Sequence, residues 1–118
     1  RLRAAEAGDP QAQYQVAQVH RVGALGIGMS PDLVAATSWY RRAAEQGHAA
    51  SQLRMGVACH DGIGVTEDAV AAAAWYRKAA DQGSASAQFL LGLAYSNGEG
   101  VARNTTAATT WFLKAAEQ

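Results

Sequence analysis

Apolar residues recur along the chain at spacings of three and four, which is the period of an amphipathic helix. Met55 with Cys59 and Leu91 with Tyr95 show this spacing, and Val70 with Ala74 extends it to a neighbouring segment. We expect these positions to form the buried faces of paired helices. The predicted first helices of the pairs are Pro10–Val22, Ala49–Asp61 and Ala85–Asn97, and the predicted second helices are Pro31–Gln46, Glu67–Gln82 and Thr105–Gln118.

Residues that favour helix ends stand between these segments. Asp9-Pro10 and Ser30-Pro31 each place a side-chain acceptor before a proline, the pattern typical of a helix start. Glycine follows two second helices, at a position where a left-handed backbone favours it. Thr66, Ser84 and Asn104 are the predicted caps of the later helices, and the glycines are Gly47 and Gly83.

A nine-residue motif occurs almost three times in the chain. WYRRAAEQG, WYRKAADQG and WFLKAAEQ begin at Trp39, Trp75 and Trp111, which are 36 residues apart. Aligning the chain on these tryptophans divides it into units 4–42, 43–78 and 79–114. The first unit has three additional residues within RVGAL, at 21–25, which the helical pattern places in a loop.

Stacking explains why a chain repeats itself in this way. One helical pair cannot bury its own apolar face, whereas identical pairs stacked together bury a continuous core. The tryptophans are expected to contribute large buried surfaces. Gly56, Gly92 and the Ala-Ala pairs would allow the helices to approach closely; these pairs are Ala43-Ala44, Ala79-Ala80 and Ala115-Ala116.

Composition narrows the possible partners. Alanine, the best helix former, supplies 28 of the 118 residues. Ten basic and ten acidic residues cancel, so no net field favours nucleic acid or an anionic membrane. No apolar segment approaches the ~20 residues of a membrane span. With Cys59 as the only cysteine, an internal disulfide is excluded.

The residues that could perform chemistry are few. Cys59 and His60 are adjacent, so on a helix they point about 100° apart and are poorly placed to share a metal ion. We interpret Cys59 as a small buried side chain rather than a nucleophile. The glycine turns follow helices and lack a G-K-[ST] ending, so they are not phosphate loops. The sequence therefore predicts a non-enzymatic protein without cofactor or metal.

The repeated motifs also resemble those of a known family. The pattern A-x-x-Q-x-x-L-G-x-x-Y-x-x-G-x-G-V followed by W-Y-x-K-A-A-x-Q-G is similar to the Sel1-like repeat, a relative of the tetratricopeptide repeat. The third unit fits best, and the first departs from the pattern at Ala17 and His20. The resemblance implies an all-α fold, a right-handed α-solenoid of about three helix–turn–helix repeats. It also implies an adaptor or scaffold that binds a protein or peptide.

In tetratricopeptide-like folds the first helices of the pairs line a concave, partner-binding face. Transferred to this chain, that geometry gives a candidate groove with apolar positions in the second and third units and polar positions in the first. A helix or extended peptide with apolar side chains would suit such a groove. The predicted partner-binding residues are Tyr14, Gln18, Arg21, Leu53, Val57, His60, Phe89, Leu93, Ser96 and Asn97.

Other hypotheses remain open. The chain could be a structural spacer in a larger assembly, or a ligand-binding protein such as the β-lactam-binding, cysteine-rich relatives, although it lacks their paired cysteines. The chain starts within the end of a second helix and stops one residue short of the expected glycine, which suggests a fragment of a longer array. Its open ends could also associate with each other. The resemblance favours the bacterial envelope or a secreted protein, with the cytoplasm possible.

Overall fold

The computed structural model describes residues 2–22 and 32–118, with the side chain of Val22 outside the description. Seven helices and no strands occupy these residues. The three predicted first helices have their expected bounds, and the second helices are shorter than predicted. The helices are α1 (Leu2–Glu6), α2 (Pro10–Val22), α3 (Leu33–Glu45), α4 (Ala49–Asp61), α5 (Ala69–Asp81), α6 (Ala85–Asn97) and α7 (Thr105–Ala116).

Three side chains spaced 36 residues apart cap the second helices. Asp32, Asp68 and Asn104 each accept a hydrogen bond from the backbone N–H three residues later, over 2.9–3.0 Å. The prediction of Asn104 is confirmed, whereas that of Thr66 is wrong. The backbone N–H of Asp68 bonds the carbonyl of Cys59 at 2.7 Å, so the chain is still returning from α4 at Thr66. The predicted start at Ser30-Pro31 lies outside the described residues.

The caps of the first helices agree better with the sequence. Asp9 Oδ1 accepts from the N–H of Gln11, and Ser84 Oγ accepts from that of Ala87, both at 3.2 Å. Gly47 and Gly83 follow their helices with φ of 92° and 95°, which confirms the predicted left-handed ends. His48, which no motif indicated, caps α4 through Nδ1 and the N–H of Ser51.

The principal contacts join consecutive helices along the chain, from α1 and α2 to α6 and α7. The molecule is accordingly elongated, measuring 47 × 23 × 23 Å. Helical pairs stacked in this way form an α-solenoid with three repeats, which confirms the predicted fold class.

The core is built mainly from small side chains. Alanines surround Met55 and Leu91, which are almost wholly buried, and two tyrosines, Cys59 and Trp111 complete the cluster. A methyl group added to Gly56 would lie 2.5 Å from the ring of Tyr76, so the glycine is what allows this close approach. The buried alanines of this cluster are Ala17, Ala36, Ala44, Ala72, Ala79, Ala80 and Ala87.

Two predictions about buried side chains are wrong or only partly right. Val70 is 68% exposed, because α5 turns Ala72, Ala73 and Tyr76 toward the core instead. Of the repeated tryptophans only Trp111 is buried. Trp39 and Trp75 lie at the edge of the core with a cation over each ring: Arg42 at 4.3 Å and Lys78 at 4.9 Å from the ring centroids.

Candidate functional site

A groove of about 370 Å³ opens where α4, α5 and α6 meet, and we call it the downstream groove. Its floor is largely apolar, with alanines of α5 beside Tyr76. Asp61 and Glu99 stand at its edge. Four of the ten predicted partner-binding residues line this groove: Val57, His60, Leu93 and Asn97.

A second groove of about 330 Å³, the upstream groove, lies one repeat earlier. Tyr40 occupies the place that Tyr76 has downstream, 36 residues later, and two arginines line the groove with it. Val57 lines both grooves, so they are neighbours along one side of the solenoid. The two arginines are Arg21, which the sequence predicted, and Arg54, which it did not.

A hydrogen-bond network fixes the polar residues of the upstream groove. The hydroxyl of Tyr40 donates to Oε1 of Gln18 at 2.6 Å and accepts from Nε of Arg21 at 3.1 Å. Arg21 also donates to Oε1 of Gln18 through Nε and Nη2. Gln18 in turn donates to the hydroxyl of Tyr14 at 3.2 Å. Three predicted site residues are therefore bound into one network with a buried tyrosine of α3.

The other predicted residues lie outside the two grooves. Leu53 packs against the core cluster. Phe89 is 50% exposed and its ring centroid lies 5.5 Å from that of Phe112, beside an open apolar depression between α6 and α7. Ser96 is partly buried on α6. Tyr14 is aligned with Leu53 and Phe89 in the repeat. Its ring centroid lies 5.1 Å from that of His48, with the two rings tilted, so Tyr14 contacts the start of the next repeat.

The downstream groove has an acidic edge. Nδ1 of His60 lies 2.7 Å from Oδ1 of Asp61, and Nε2 lies 3.4 Å from Oε2 of Glu99. Asn97 Nδ2 donates to the other carboxylate oxygen of Glu99 at 3.3 Å. Hydrogen bonding to Asp61 and Glu99 raises the pKa of His60, although slight desolvation acts the other way. Two carboxylates face one imidazole, so the edge is negative even when His60 is protonated.

The equivalent tyrosines of the two grooves are surrounded by charges of opposite sign. Burial, together with the charges of Asp61 and Glu99, raises the pKa of Tyr76 to about 12. Burial also raises the pKa of Tyr40, but Arg21 and Arg54 act to lower it. The hydroxyls stay protonated at neutral pH, so neither tyrosine is a base.

The structure offers little for catalysis. Cys59 is buried, and desolvation raises the pKa of its thiol, which disfavours the nucleophilic thiolate. Within residues 2–22 and 32–118, no three His, Cys, Asp or Glu side chains are clustered to hold a metal ion. None of the described helices is both long and apolar enough to cross a membrane. What the described surface does offer is a pair of neighbouring grooves lined by apolar and charged side chains.

Arg21 and His60 were predicted, but Arg54, Asp61, Tyr76 and Glu99 were not, because the family geometry points to one face of the first helices, whereas Tyr76 lies on α5 and Glu99 follows α6. The 36-residue spacing of Tyr40 and Tyr76 was visible within the repeated motif. Comparing the residues around each tyrosine across the units would have found Ile63 aligned with Glu99, and Arg54 aligned with Leu90. Of the RVGAL insertion, 23–25 lie outside the described residues.

Comparison with protein-family models gives a match to the Sel1 repeat in three consecutive segments, residues 10–48, 49–84 and 85–118. The matched segments cover more than nine-tenths of the chain. No curated protein sequence gives a significant match.

Solved structures of several bacterial proteins are similar to the chain. A Sel1 repeat protein from Oxalobacter formigenes is 37% identical, with a TM-score of 0.90, over 99% of this chain and 87% of the other. The protective antigen c5321 of uropathogenic Escherichia coli is also 37% identical, with a TM-score of 0.88, over 98% of this chain but 24% of the antigen. Helicobacter pylori cysteine rich protein B shares the fold at 22% identity and a TM-score of 0.72, over 91% and 83%.

Proposed function

The chain belongs to the Sel1 repeat family, and we propose that it is a non-catalytic adaptor that binds a peptide segment of a partner protein along its two grooves. Sel1 repeat proteins generally mediate protein–protein interactions, and the family is typically a scaffold rather than an enzyme family. The partner itself is defined only by the chemistry of the surface that would receive it.

The observation that supports this proposal is the repetition of one groove in consecutive repeats. Each groove has a tyrosine at its base, with alanines and aliphatic side chains beside it and charged side chains among the other lining residues. Val57 forms a wall of both, so a single extended segment could contact them in succession. Solenoids typically bind their partners along such continuous, repeated surfaces.

The apolar side chains at the groove walls would supply most of the affinity. Val57 and Leu93 are partly exposed on α4 and α6, at equivalent positions of successive units. Covering them with an aliphatic side chain of a partner removes apolar surface from water, which is worth about 25 cal/mol per Å². The polar network around Tyr40 would set the position of the segment rather than its affinity.

The experiment is affinity capture from a lysate of the source organism with the wild-type chain and the Val57→Ser/Leu93→Ser variant. The matched control, Val70→Ser/Leu113→Ser, removes two aliphatic side chains that are 68% and 60% exposed on second helices. Circular dichroism and thermal melting establish that all three proteins are folded.

A protein retained by the wild type and the control, and lost by the groove variant, is the expected result. Equal retention by the groove variant would contradict the proposal and direct attention to other surfaces, including the depression beside Phe89 and Phe112. If no protein is retained by any of the three, the adaptor proposal fails and a spacer function is favoured.

A further inference from the structure

The two grooves share their architecture and differ in their charge. Arg54 in the upstream groove corresponds to Leu90 downstream, and Ile63 corresponds to Glu99, each pair being 36 residues apart. Arg21 is aligned with His60, which is held between two carboxylates. The charged side chains lining the upstream groove are thus both cationic, and the downstream groove has Asp61, Glu99 and one imidazole.

The difference in charge acts on the buried tyrosine hydroxyls of the two grooves. Tyr40 and Tyr76 occupy equivalent positions at the two groove bases. The arginines act to lower the pKa of Tyr40, whereas the carboxylates act to raise that of Tyr76. In the upstream groove the contact is direct, since Nε of Arg21 donates to the Tyr40 hydroxyl at 3.1 Å.

We propose that the grooves recognise a segment that carries an acidic residue and a basic residue separated by aliphatic residues, and that the two charges fix its direction. The acid lies beside Arg21 and Arg54, and the base lies beside Asp61 and Glu99. This inference rests on the proposed adaptor function and specifies the partner's chemistry at the same site.

Charge complementarity accounts for a single direction of binding. A segment laid in the opposite direction would place its acid beside carboxylates and its base beside guanidinium groups, and such juxtapositions reject wrong arrangements. Packed helices lie about 8–10 Å apart, and an extended chain advances about 3.3 Å per residue. The acid and the base are therefore expected about three residues apart.

The test is selection from a phage-displayed library of random octapeptides, with the immobilised wild-type chain as bait. Three variants are run in parallel. Asp61→Lys/Glu99→Lys reverses the charge of the downstream groove, and Val57→Ser/Leu93→Ser removes the shared apolar wall. Glu45→Lys/Glu117→Lys makes the same change of net charge at exposed residues outside both grooves.

The expected result is that the wild type and the Glu45→Lys/Glu117→Lys control enrich peptides with an acid and a base in one fixed order. The Asp61→Lys/Glu99→Lys variant should lose the preference for the base. In fluorescence anisotropy, a synthetic peptide from the wild-type selection should bind at least tenfold more tightly than its isomer with the two charges exchanged.

Two results would overturn the inference, and they are distinguishable. In the first, the wild type enriches peptides that the Val57→Ser/Leu93→Ser variant does not, but these peptides show no fixed order of acid and base. This result would support the adaptor function and contradict the proposal that charge fixes the direction of binding. No enrichment over the starting library would contradict both.

Discussion

Gln82 donates a hydrogen bond from Nε2 to Oε1 of Gln52 across 2.8 Å, although 30 residues separate them. Gln52 is buried and donates in turn to the carbonyl of Ala44, at 3.2 Å. The ends of α3 and α5 are thus joined through one amide in α4. The same arrangement recurs at Gln13 with Gln46 and at Gln88 with Gln118, so each repeat junction contains it.

Replacing Gln52 by methionine should destabilise the fold by about 1–3 kcal/mol, because two hydrogen bonds of its amide are lost, one to the Ala44 carbonyl and one from Gln82, while the side-chain volume is nearly kept. Urea denaturation followed by circular dichroism measures the change. The matched control is Gln15→Met, a partly buried residue of α2 outside this amide network, which should change the free energy of unfolding by less than about 0.5 kcal/mol. Equal effects of the two substitutions would show that the network adds no stability.

Gly56→Ala should be more destabilising than Gly92→Ala, although both add one methyl group to the middle of a helix. At Gly56 the methyl would meet the ring of Tyr76, which is only 5% exposed and enclosed by the core. At Gly92 it would meet Phe112, a partly exposed side chain of α7 with room to turn.

Overpacking costs about 1–3 kcal/mol, and the better helix propensity of alanine returns about 1 kcal/mol. The two contributions leave a net loss of about 0–2 kcal/mol. Because Tyr76 is enclosed by the core, we expect the upper part of this range, about 1–2 kcal/mol, for Gly56→Ala and at least about 1 kcal/mol less for Gly92→Ala, measured by thermal or urea unfolding. Similar losses at both sites would contradict the assigned difference in packing freedom.

Gly100→Ala should be far more damaging than Gly98→Ala, even though both glycines have positive φ, 75° and 67°. A methyl group on Gly100 would overlap the carbonyl of Ala69 at the start of α5, which is backbone and cannot turn aside. On Gly98 it would meet Arg103 Cβ at an ordinary 3.4 Å.

The left-handed conformation alone costs a non-glycine residue about 1–2 kcal/mol, so this is the loss expected for Gly98→Ala. For Gly100→Ala the junction between α5 and the turn must also open, and we expect more than about 3 kcal/mol or loss of the cooperative unfolding transition. Differential scanning calorimetry distinguishes these results, and an ordinary melt for Gly100→Ala would contradict the packing argument.

His48 and His60 should give stability an opposite dependence on pH. Burial lowers the pKa of His48, whose unprotonated Nδ1 caps α4. Its contribution is therefore present above the unfolded value of 6.5 and is lost as the pH falls through the folded pKa. Hydrogen bonds to carboxylates raise the pKa of His60. Its contribution is present below 6.5 and is lost as the pH rises through the folded pKa.

Urea unfolding between pH 5 and pH 8 measures both contributions. The stability of the wild type relative to His48→Ser should increase with pH, and relative to His60→Gln it should decrease with pH. Serine is a suitable replacement at position 48, because Ser84 caps the equivalent helix one repeat later. If either difference has the opposite slope, the assigned protonation state is wrong.

The sequence predicts helix number, pairing and repeat period well, because these depend on local spacing that is repeated along the chain. The first helices have the predicted bounds, and Asn104 and Ser84 are caps as expected. The prediction of Thr66 as the cap of α5 is wrong, and Asp68 caps this helix instead. Local propensity does not indicate how many residues the chain needs after α4 before the next helix can pack against it. The length of this connection is fixed by the hydrogen bond from the backbone N–H of Asp68 to the carbonyl of Cys59, which is a tertiary contact.

The buried faces and the grooves were harder to predict for a related reason. In alanine-rich helices the buried stripe consists of small side chains, so the spacing of Val70 and Ala74 indicates the wrong face, and Ala72 and Ala73 are buried instead. The charge difference between the grooves depends on residues of three helices meeting around one tyrosine. No single helix contains that pattern, and it becomes visible only when successive units are superimposed.

The amide networks at the repeat junctions leave the groove residues free to differ. Gln52 and Gln88 have equivalent partners one repeat apart, the carbonyls of Ala44 and Ala80. Two residues further along the same helices, Arg54 is cationic and Leu90 is neutral. The amides that join the repeats and the charged groove residues thus occupy separate positions of each unit. Exchange of whole units in the gene would therefore change the charge of the grooves while each junction keeps its amide hydrogen bonds.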